Sequence, residues 1–218
     1  SHPARCPAPA LDIEPGDSGP RLELAGEGAL DPGLVVAADG AASPLRDAAG
    51  IRVWEGDYGQ HAVVATVDPE PAAARRTWQR FTPEGPQALL PLAGGAASLV
   101  WYVRPAKARE LLALPEADFV RALEDAMPVE LGRIAHLYGR ASFPIRRLHA
   151  RRYWRGNLAL VGDAAHVIHP LAGQGVNLGL RDARALAEQI AEAHRLGLPL
   201  AHPPLLSAYE RARRPDNQ

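Results

Sequence analysis

The stretch from Asn157 to Asn177, NLALVGDAAHVIHPLAGQGVN, constrains the fold of this chain more than any other. Asn157 to Val161 is a short apolar run stopped by a glycine, the pattern of a strand buried on both faces. Asp163 follows at once, so the strand ends on a carboxylate. Open α/β sheets hold ligands in the crevice beyond the carboxyl ends of their strands, which makes Asp163 a candidate acceptor for a ligand hydroxyl. Pro170 cannot continue a helix, and Gly173 and Gly175 bracket Gln174 just before a long periodic segment starts at Val176. A glycine-rich helix start leaves backbone N–H donors bare at the positive end of the helix dipole. It suits an anion or an electron-rich carbonyl, with phosphate and a reduced flavin as the two candidates.

The rest of the chain is arranged around this segment. Val176, Leu180, Ala183, Ala187, Ile190 and His194 step by four and three, which predicts the buried stripe of a long helix closed by Gly197 and Pro199. Residues 205–213 predict a second helix with Tyr209 inward. Upstream, a buried strand over 34–38 delivers Asp39-Gly40, and Ser43 is placed to cap a short helix with Pro44 at its first position. Taken alone, Asp39-Gly40 reads first as an ordinary strand-turn-helix with an Asp in the turn. Residues 1–20 hold several prolines and no periodicity, which reads as an irregular leader. From 51 to 103 the texture is β, with strands expected at 61–67, 77–82, 87–92 and 98–103 in an antiparallel sheet. A helix over 115–126 and a strand over 142–148 follow.

Composition excludes several classes. The 24 basic and 25 acidic residues give a net charge of −1, so no nucleic-acid footprint is present. Cys6 is the single cysteine, which rules out an internal disulfide and a thiolate zinc cluster. No apolar run reaches the roughly 20 residues a membrane-spanning helix needs. His166 and His169 lie three apart without a third ligand nearby, so no metal site is expected. There is no G-x-S-x-G elbow, and no side-chain nucleophile stands out. Arg146, Arg147, Arg151, Arg152 and Arg155 form a basic cluster, read first as a solvated face and second as a contact for cofactor phosphates or anionic lipid headgroups.

Gly162-Asp163-Ala164-Ala165-His166, His169-Pro170 and Gly173-Gln174-Gly175-Val176-Asn177 together resemble the second FAD motif of the single-component aromatic flavin monooxygenases, in particular the ubiquinone-biosynthesis hydroxylases. Asp39-Gly40-Ala41-Ala42-Ser43 with Arg46 is similar to that family's DG motif, and Tyr209-Glu210-Arg211 with Arg213-Arg214 extends the likeness downstream. The resemblance implies an α/β (α+β) fold, a partial Rossmann-like FAD-binding domain with an inserted antiparallel β-sheet substrate domain. It divides the chain into 1–50 (remnant of the FAD-binding domain with the DG motif), 51–152 (β-rich substrate domain) and 153–218 (FAD-binding return segment).

The roles it implies are specific. Asp163 would bond the flavin ribityl chain, the backbone of Gly173, Gln174, Gly175, Val176 and Asn177 would face the pyrimidine edge of the ring, and Pro170 would lie beside its reactive carbon. Asp39, Gly40 and Arg46 would sit near the flavin and the path of the nicotinamide. Trp78, Arg80, Leu90 and Trp101 become candidates for the substrate pocket, against the alternative that aromatic residues in strands are core. His166 and His169 would pack beneath the flavin. The implied activity is hydroxylation of an aromatic ring, a lipophilic polyprenyl phenol on the ubiquinone pathway, through a flavin C4a-hydroperoxide with FAD as cofactor and NADPH or NADH as co-substrate. A hydroxylase of soluble phenols, a flavin reductase of the same fold, and a non-catalytic scaffold in a biosynthetic complex are the alternatives. No strand followed by G-x-G-x-x-G is present, so the chain reads as a fragment lacking that segment and truncated at both ends. A cytoplasmic protein is expected, with peripheral association to the inner membrane or to a biosynthetic complex as the further expectation.

Overall fold

The computed structural model describes residues 10–16, 19–24, 28–70, 77–127, 132–170 and 173–217, with the strands before Leu30 described by their backbone. The first elements are three antiparallel strands, β1 (Ala10–Gly16), β2 (Gly19–Leu24) and β3 (Gly28–Leu30). Strands therefore stand where prolines predicted irregular chain over 10–20. Pro15 and Pro20 face each other at the turn end of the β1–β2 hairpin, where a missing N–H costs little.

Strand β4 (Val35–Ala37) leads into a short helix α1 (Pro44–Ala48), whose first turn is capped by Ser43 Oγ accepting from the Arg46 N–H at 3.0 Å. The chain then runs through β5 (Val53–Glu70), β6 (Trp78–Thr82), β7 (Gly85–Pro91) and β8 (Ala97–Val103). Two helices follow, α2 (Pro105–Ala113) and α3 (Glu116–Ala126), then a second long strand β9 (Arg133–Ala150). The close of the chain holds β10 (Trp154–Arg155), β11 (Leu158–Leu160), β12 (His166–Val167), α4 (Gln174–Arg195) and α5 (Pro203–Arg213). The sequence also suggests a turn at Gly26-Glu27-Gly28 and a helix stop at Pro128; residues 26, 27 and 128 lie outside the described residues.

The chain divides into two compact units, one of residues 1–56 with 146–218 and one of 57–145. The second unit is an antiparallel sheet in the order β9-β5-β8-β7-β6. Alternation assigns its faces. Val63, Ala65 and Val67 of β5 and Ala97, Leu99, Trp101 and Val103 of β8 are buried with Ala108, Leu111, Phe119 and Leu123 of the two helices. Ala62, Tyr102 and Ile145 form a smaller cluster on the other face. Two arginines tie the helix ends to this unit. Arg80 donates to the Ala126 carbonyl at 2.5 Å and Arg140 to those of Leu112 and Leu114, each at the carboxyl pole of a helix, where a cation is favoured.

In the first unit, β11 runs parallel to β4 with Leu158 opposite Val35 and Leu160 opposite Ala37, although some 120 residues separate them in sequence. Leu158, Ala159 and Leu160 are wholly buried, as the continuous apolar run predicts, against Leu186 of α4 and Leu206 and Tyr209 of α5. Burying each leucine contributes about 1.5–3 kcal/mol. The inward face of α4 is a correction to the sequence reading. Leu178, Asp182, Leu186 and Ala193 are buried, whereas Val176, Leu180, Ala183, Ala187 and His194 are exposed and only Ile190 of the expected stripe is half-buried. A buried charge outweighs two exposed aliphatics here because Asp182 finds four donors under the helix.

Candidate cofactor site

Because β4 and β11 are parallel neighbours, their carboxyl ends open on one edge, and each is followed by a carboxylate. The Val161 N–H still bonds the Ala37 carbonyl at 3.0 Å, after which the chains part into the Asp39-Gly40 loop and a single 3-10 turn at Gly162–Ala164. Asp39 and Asp163 are both exposed on that edge. Asp39 Oδ2 accepts the Leu45 N–H at 3.2 Å, which holds the loop against α1 and leaves Oδ1 to a ligand. Asp163 has no hydrogen bond to the described residues, and Gly40 takes a left-handed φ of 87° that a side chain would strain.

Arg46 binds the two loops together. Its side chain is buried, and Nη1 donates to the carbonyls of Ala41 at 2.8 Å and Ala164 at 3.2 Å, while Nε meets Asp47 at 3.2 Å. The guanidinium thus braces the Asp39 loop to the Asp163 turn, which adds a positioning role to the expected nearness of Arg46 to the ligand.

The start of α4 lies against the same turn. Gly162 and Gly179 meet backbone to backbone: a Cβ on Gly179 would lie 3.2 Å from the Gly162 Cα. Gly173 forms the N-cap in the left-handed region, φ 64° and ψ 28°, and no side chain among the described residues caps the first N–H groups. Gly173, Gln174, Val176 and Asn177 are exposed and Gly175 is half-buried. Pro170 is exposed ahead of the helix, its carbonyl accepting the Gly173 N–H at 3.4 Å. The edge therefore offers two carboxylates for hydroxyls beside a long helix's bare, positive N-terminus. This donor set fits a polyhydroxylated chain joined to an electron-rich carbonyl edge, which is the chemistry of a flavin.

Beneath the turn lies a buried polar network that sequence reasoning missed. Asp182 Oδ2 accepts from the Gly162 N–H at 3.1 Å and contacts His166 Nε2 at 2.5 Å; Oδ1 accepts from Arg213 Nε at 2.8 Å and Asn217 Nδ2 at 3.0 Å. Burial alone would raise the Asp182 carboxyl, but the bonds from His166, Arg213 and Asn217 outweigh it and hold the group below its ordinary range. Asn217 Nδ2 also donates to the Tyr153 hydroxyl at 3.3 Å, which stands 3.0 Å from His149 Nε2. Burial pushes the Tyr153 phenol far up and the His149 imidazole down, the latter helped by Arg214 and His166. Burial likewise lowers His169. His166 is thus committed to Asp182, and among the described residues no three His, Cys, Asp or Glu side chains converge on a point.

The four pocket candidates do not share one wall. Trp101 is in the core of the second unit, Trp78 packs against that core, and Arg80 lies over Trp78 while bonding Gln87 Oε1 at 2.7 Å, all on the helix-covered face. Leu90, paired with Ser98, is exposed on the opposite face. Strand alternation separates them: Leu90 is one residue out of phase with Gln87 and Leu89, the partners of Trp101 and Trp78.

Against known proteins, the model of the FAD binding domain family matches residues 19–218. The 3-demethoxyubiquinol 3-hydroxylase of Escherichia coli is 43% identical over 213 residues, 98% of this chain and 54% of that protein. Ubiquinone hydroxylase UbiL of Rhodospirillum rubrum is 46% identical over 184 residues, 84% of this chain and 43% of that protein. Among solved structures, PqsL of Pseudomonas aeruginosa, "a probable FAD-dependent monooxygenase", superposes with a TM-score of 0.79 at 29% identity, covering 97% of this chain and 60% of that one. The chain spans about half the length of the curated relatives it matches. With the family model spanning the edge just described and nearly the whole chain, residues 19–218, the chain belongs to the FAD binding domain family.

Proposed function

We propose that this chain carries the flavin-facing edge of a FAD-dependent monooxygenase that hydroxylates an aromatic ring, a polyprenyl phenol of ubiquinone biosynthesis, with NADPH or NADH as reductant. The observation that carries the reading is the shared strand edge, where Asp39 and Asp163 leave adjacent parallel strands beside the uncapped start of α4. The ubiquinone hydroxylases it resembles supply the substrate class.

Bound FAD would supply the redox chemistry that activates oxygen. The protein's own residues bind and orient. Asp163 would accept a hydrogen bond from the ribityl chain, and the N–H groups of Gln174 to Asn177 would serve the pyrimidine edge, where the dipole of α4 favours negative charge. Asp39 Oδ1 accepts a second ligand hydroxyl, Gly40 lets the loop turn without strain, and Arg46 fixes both loops. Pro170 forms the ring-side margin of this edge. No side chain acts as nucleophile. The unit of residues 57–145 serves as the substrate domain, with its less covered face, including Leu90, preferred over Trp101, which fills the opposite core, and over Trp78 and Arg80, which are half-buried on the core side. Among the described residues no helix is long and apolar enough to cross a membrane; peripheral association is the route proposed for reaching a lipophilic substrate.

The test is flavin retention and NAD(P)H-dependent hydroxylation by the purified protein and by Asp163→Ala. Removing one charge-accepting hydrogen bond, worth about 1.5–3 kcal/mol, weakens FAD binding roughly ten- to a hundredfold. Unchanged flavin content would remove Asp163 from the cofactor site. Turnover of soluble phenols with none of a prenylated phenol would replace the proposed substrate class.

A further inference from the structure

Away from the flavin edge, Gly50, Ile51, Arg52, Arg151, Arg152 and Arg155 line a surface groove of about 360 Å³. Two chain segments are held together to make it. The Arg151 N–H bonds the Arg52 carbonyl at 2.9 Å, and Arg155 Nη1 donates to the Ala49 carbonyl at 2.7 Å, its guanidinium lying against the bare Cα of Gly50. Gly50 is left-handed, with a φ of 64°, so a side chain is disfavoured at the floor of the groove.

The four arginines are exposed, and among the described residues none of them pairs with a carboxylate. The acidic neighbours are already engaged: Asp47 meets Arg46, and Glu210 meets Arg214 and the Tyr153 N–H. Trp54 flanks the groove with Arg151 5.4 Å and Arg214 5.8 Å from its ring centre, which steadies the cationic wall without neutralising it. Four like charges converging on one concavity repel each other, so the arrangement is relieved by an anion. Planar guanidinium forks match the paired oxygens of a phosphate or a carboxylate and not a halide, and of the two oxyanions a phosphate brings the greater charge and more acceptor oxygens to four cations.

We infer that this groove is a binding site for a phosphate-bearing group, either a soluble phosphate compound or the headgroup of an anionic lipid. It shares no residue with the flavin edge and does not depend on the flavin reading.

The test is isothermal titration of the purified protein with pyrophosphate at low ionic strength, beside flotation with vesicles of phosphatidylglycerol and phosphatidylcholine in equal parts. Arg52→Gln/Arg152→Gln is the informative variant, because neither side chain makes a hydrogen bond to the described residues and the groove's braces at Arg151 and Arg155 stay. Arg184→Gln, an exposed arginine on α4, controls for general charge. The double variant should bind at least about tenfold more weakly, with the control unchanged. Loss confined to pyrophosphate identifies a soluble phosphate compound and loss confined to vesicles a lipid headgroup; either supports the site. Equal loss in the control, no loss in the double variant, or no binding of either probe by the parent overturns it.

Discussion

Replacing Asp182 by alanine should be among the most damaging single changes in this chain, for reasons that can be counted. The side chain is fully buried and accepts bonds from four groups, one of them the guanidinium of Arg213, itself only 6% exposed. Removing one partner of a buried ion pair strands the other charge at a cost of about 3–5 kcal/mol. Asp216 still reaches Arg213 Nη1 at 2.6 Å, but it is half exposed and compensates weakly, so the lower half of that range is expected. For a chain of this size such a loss lowers the urea midpoint by about 1–2 M. Urea unfolding followed by far-UV circular dichroism reads it, with Arg184→Ala, which breaks an exposed pair with Glu188, expected to cost under about 0.5 kcal/mol. Asp182→Ala also frees the Gly162 N–H and should loosen flavin along with the fold. A loss for Asp182→Ala below about 1 kcal/mol would refute the reasoning, since no buried uncompensated charge is that cheap.

The Asp182 carboxyl, held below its ordinary 3.8, contributes stability that is complete above that value and lost as pH falls through the lower folded one. Asp182→Asn should flatten that acid limb in pH-dependent unfolding, and an unchanged limb would assign it elsewhere. His149 should titrate below 6.5 by NMR, because burial and the charges of Arg214 and His166 disfavour its imidazolium; a midpoint at or above 6.5 contradicts this. Gly179→Ala gains roughly 1 kcal/mol of helix propensity yet presses a Cβ onto Gly162, so flavin absorbance should fall on dilution even where helicity rises. Tyr209→Phe removes a 2.6 Å bond to the Leu160 carbonyl and should cost about 1–3 kcal/mol in thermal unfolding.

Much of this architecture is written locally. The strand at 158–160 is legible because four consecutive apolar residues, Leu158 to Val161, end at a glycine, and α1 because serine and proline stand in the order its first turn needs. The partnership of β4 with β11 joins residues over a hundred positions apart and was not legible; the resemblance only set both Asp-bearing motifs near one ligand. The inward face of α4 was not legible. Val176-Leu180 and Leu178-Asp182 are both spaced as helical stripes, and hydrophobicity favours the wrong one. What decides is a set of donors at His166, Arg213 and Asn217, distant in sequence and tied to Asp182 by no local pattern, although His166 and Arg213 stand in motifs the sequence does show. The hairpin at 10–24 was hidden for the opposite reason, because prolines at a turn look the same in sequence as prolines in irregular chain.

Arg46 has a mechanical consequence. By clasping the carbonyls of Ala41 and Ala164 it makes two loops of distant origin behave as a single jaw, so neither carboxylate can swing without carrying the other. A ligand gripping that jaw would feel a rigid caliper, and a swap to lysine, with one ammonium where a fork had been, would let the halves slip independently.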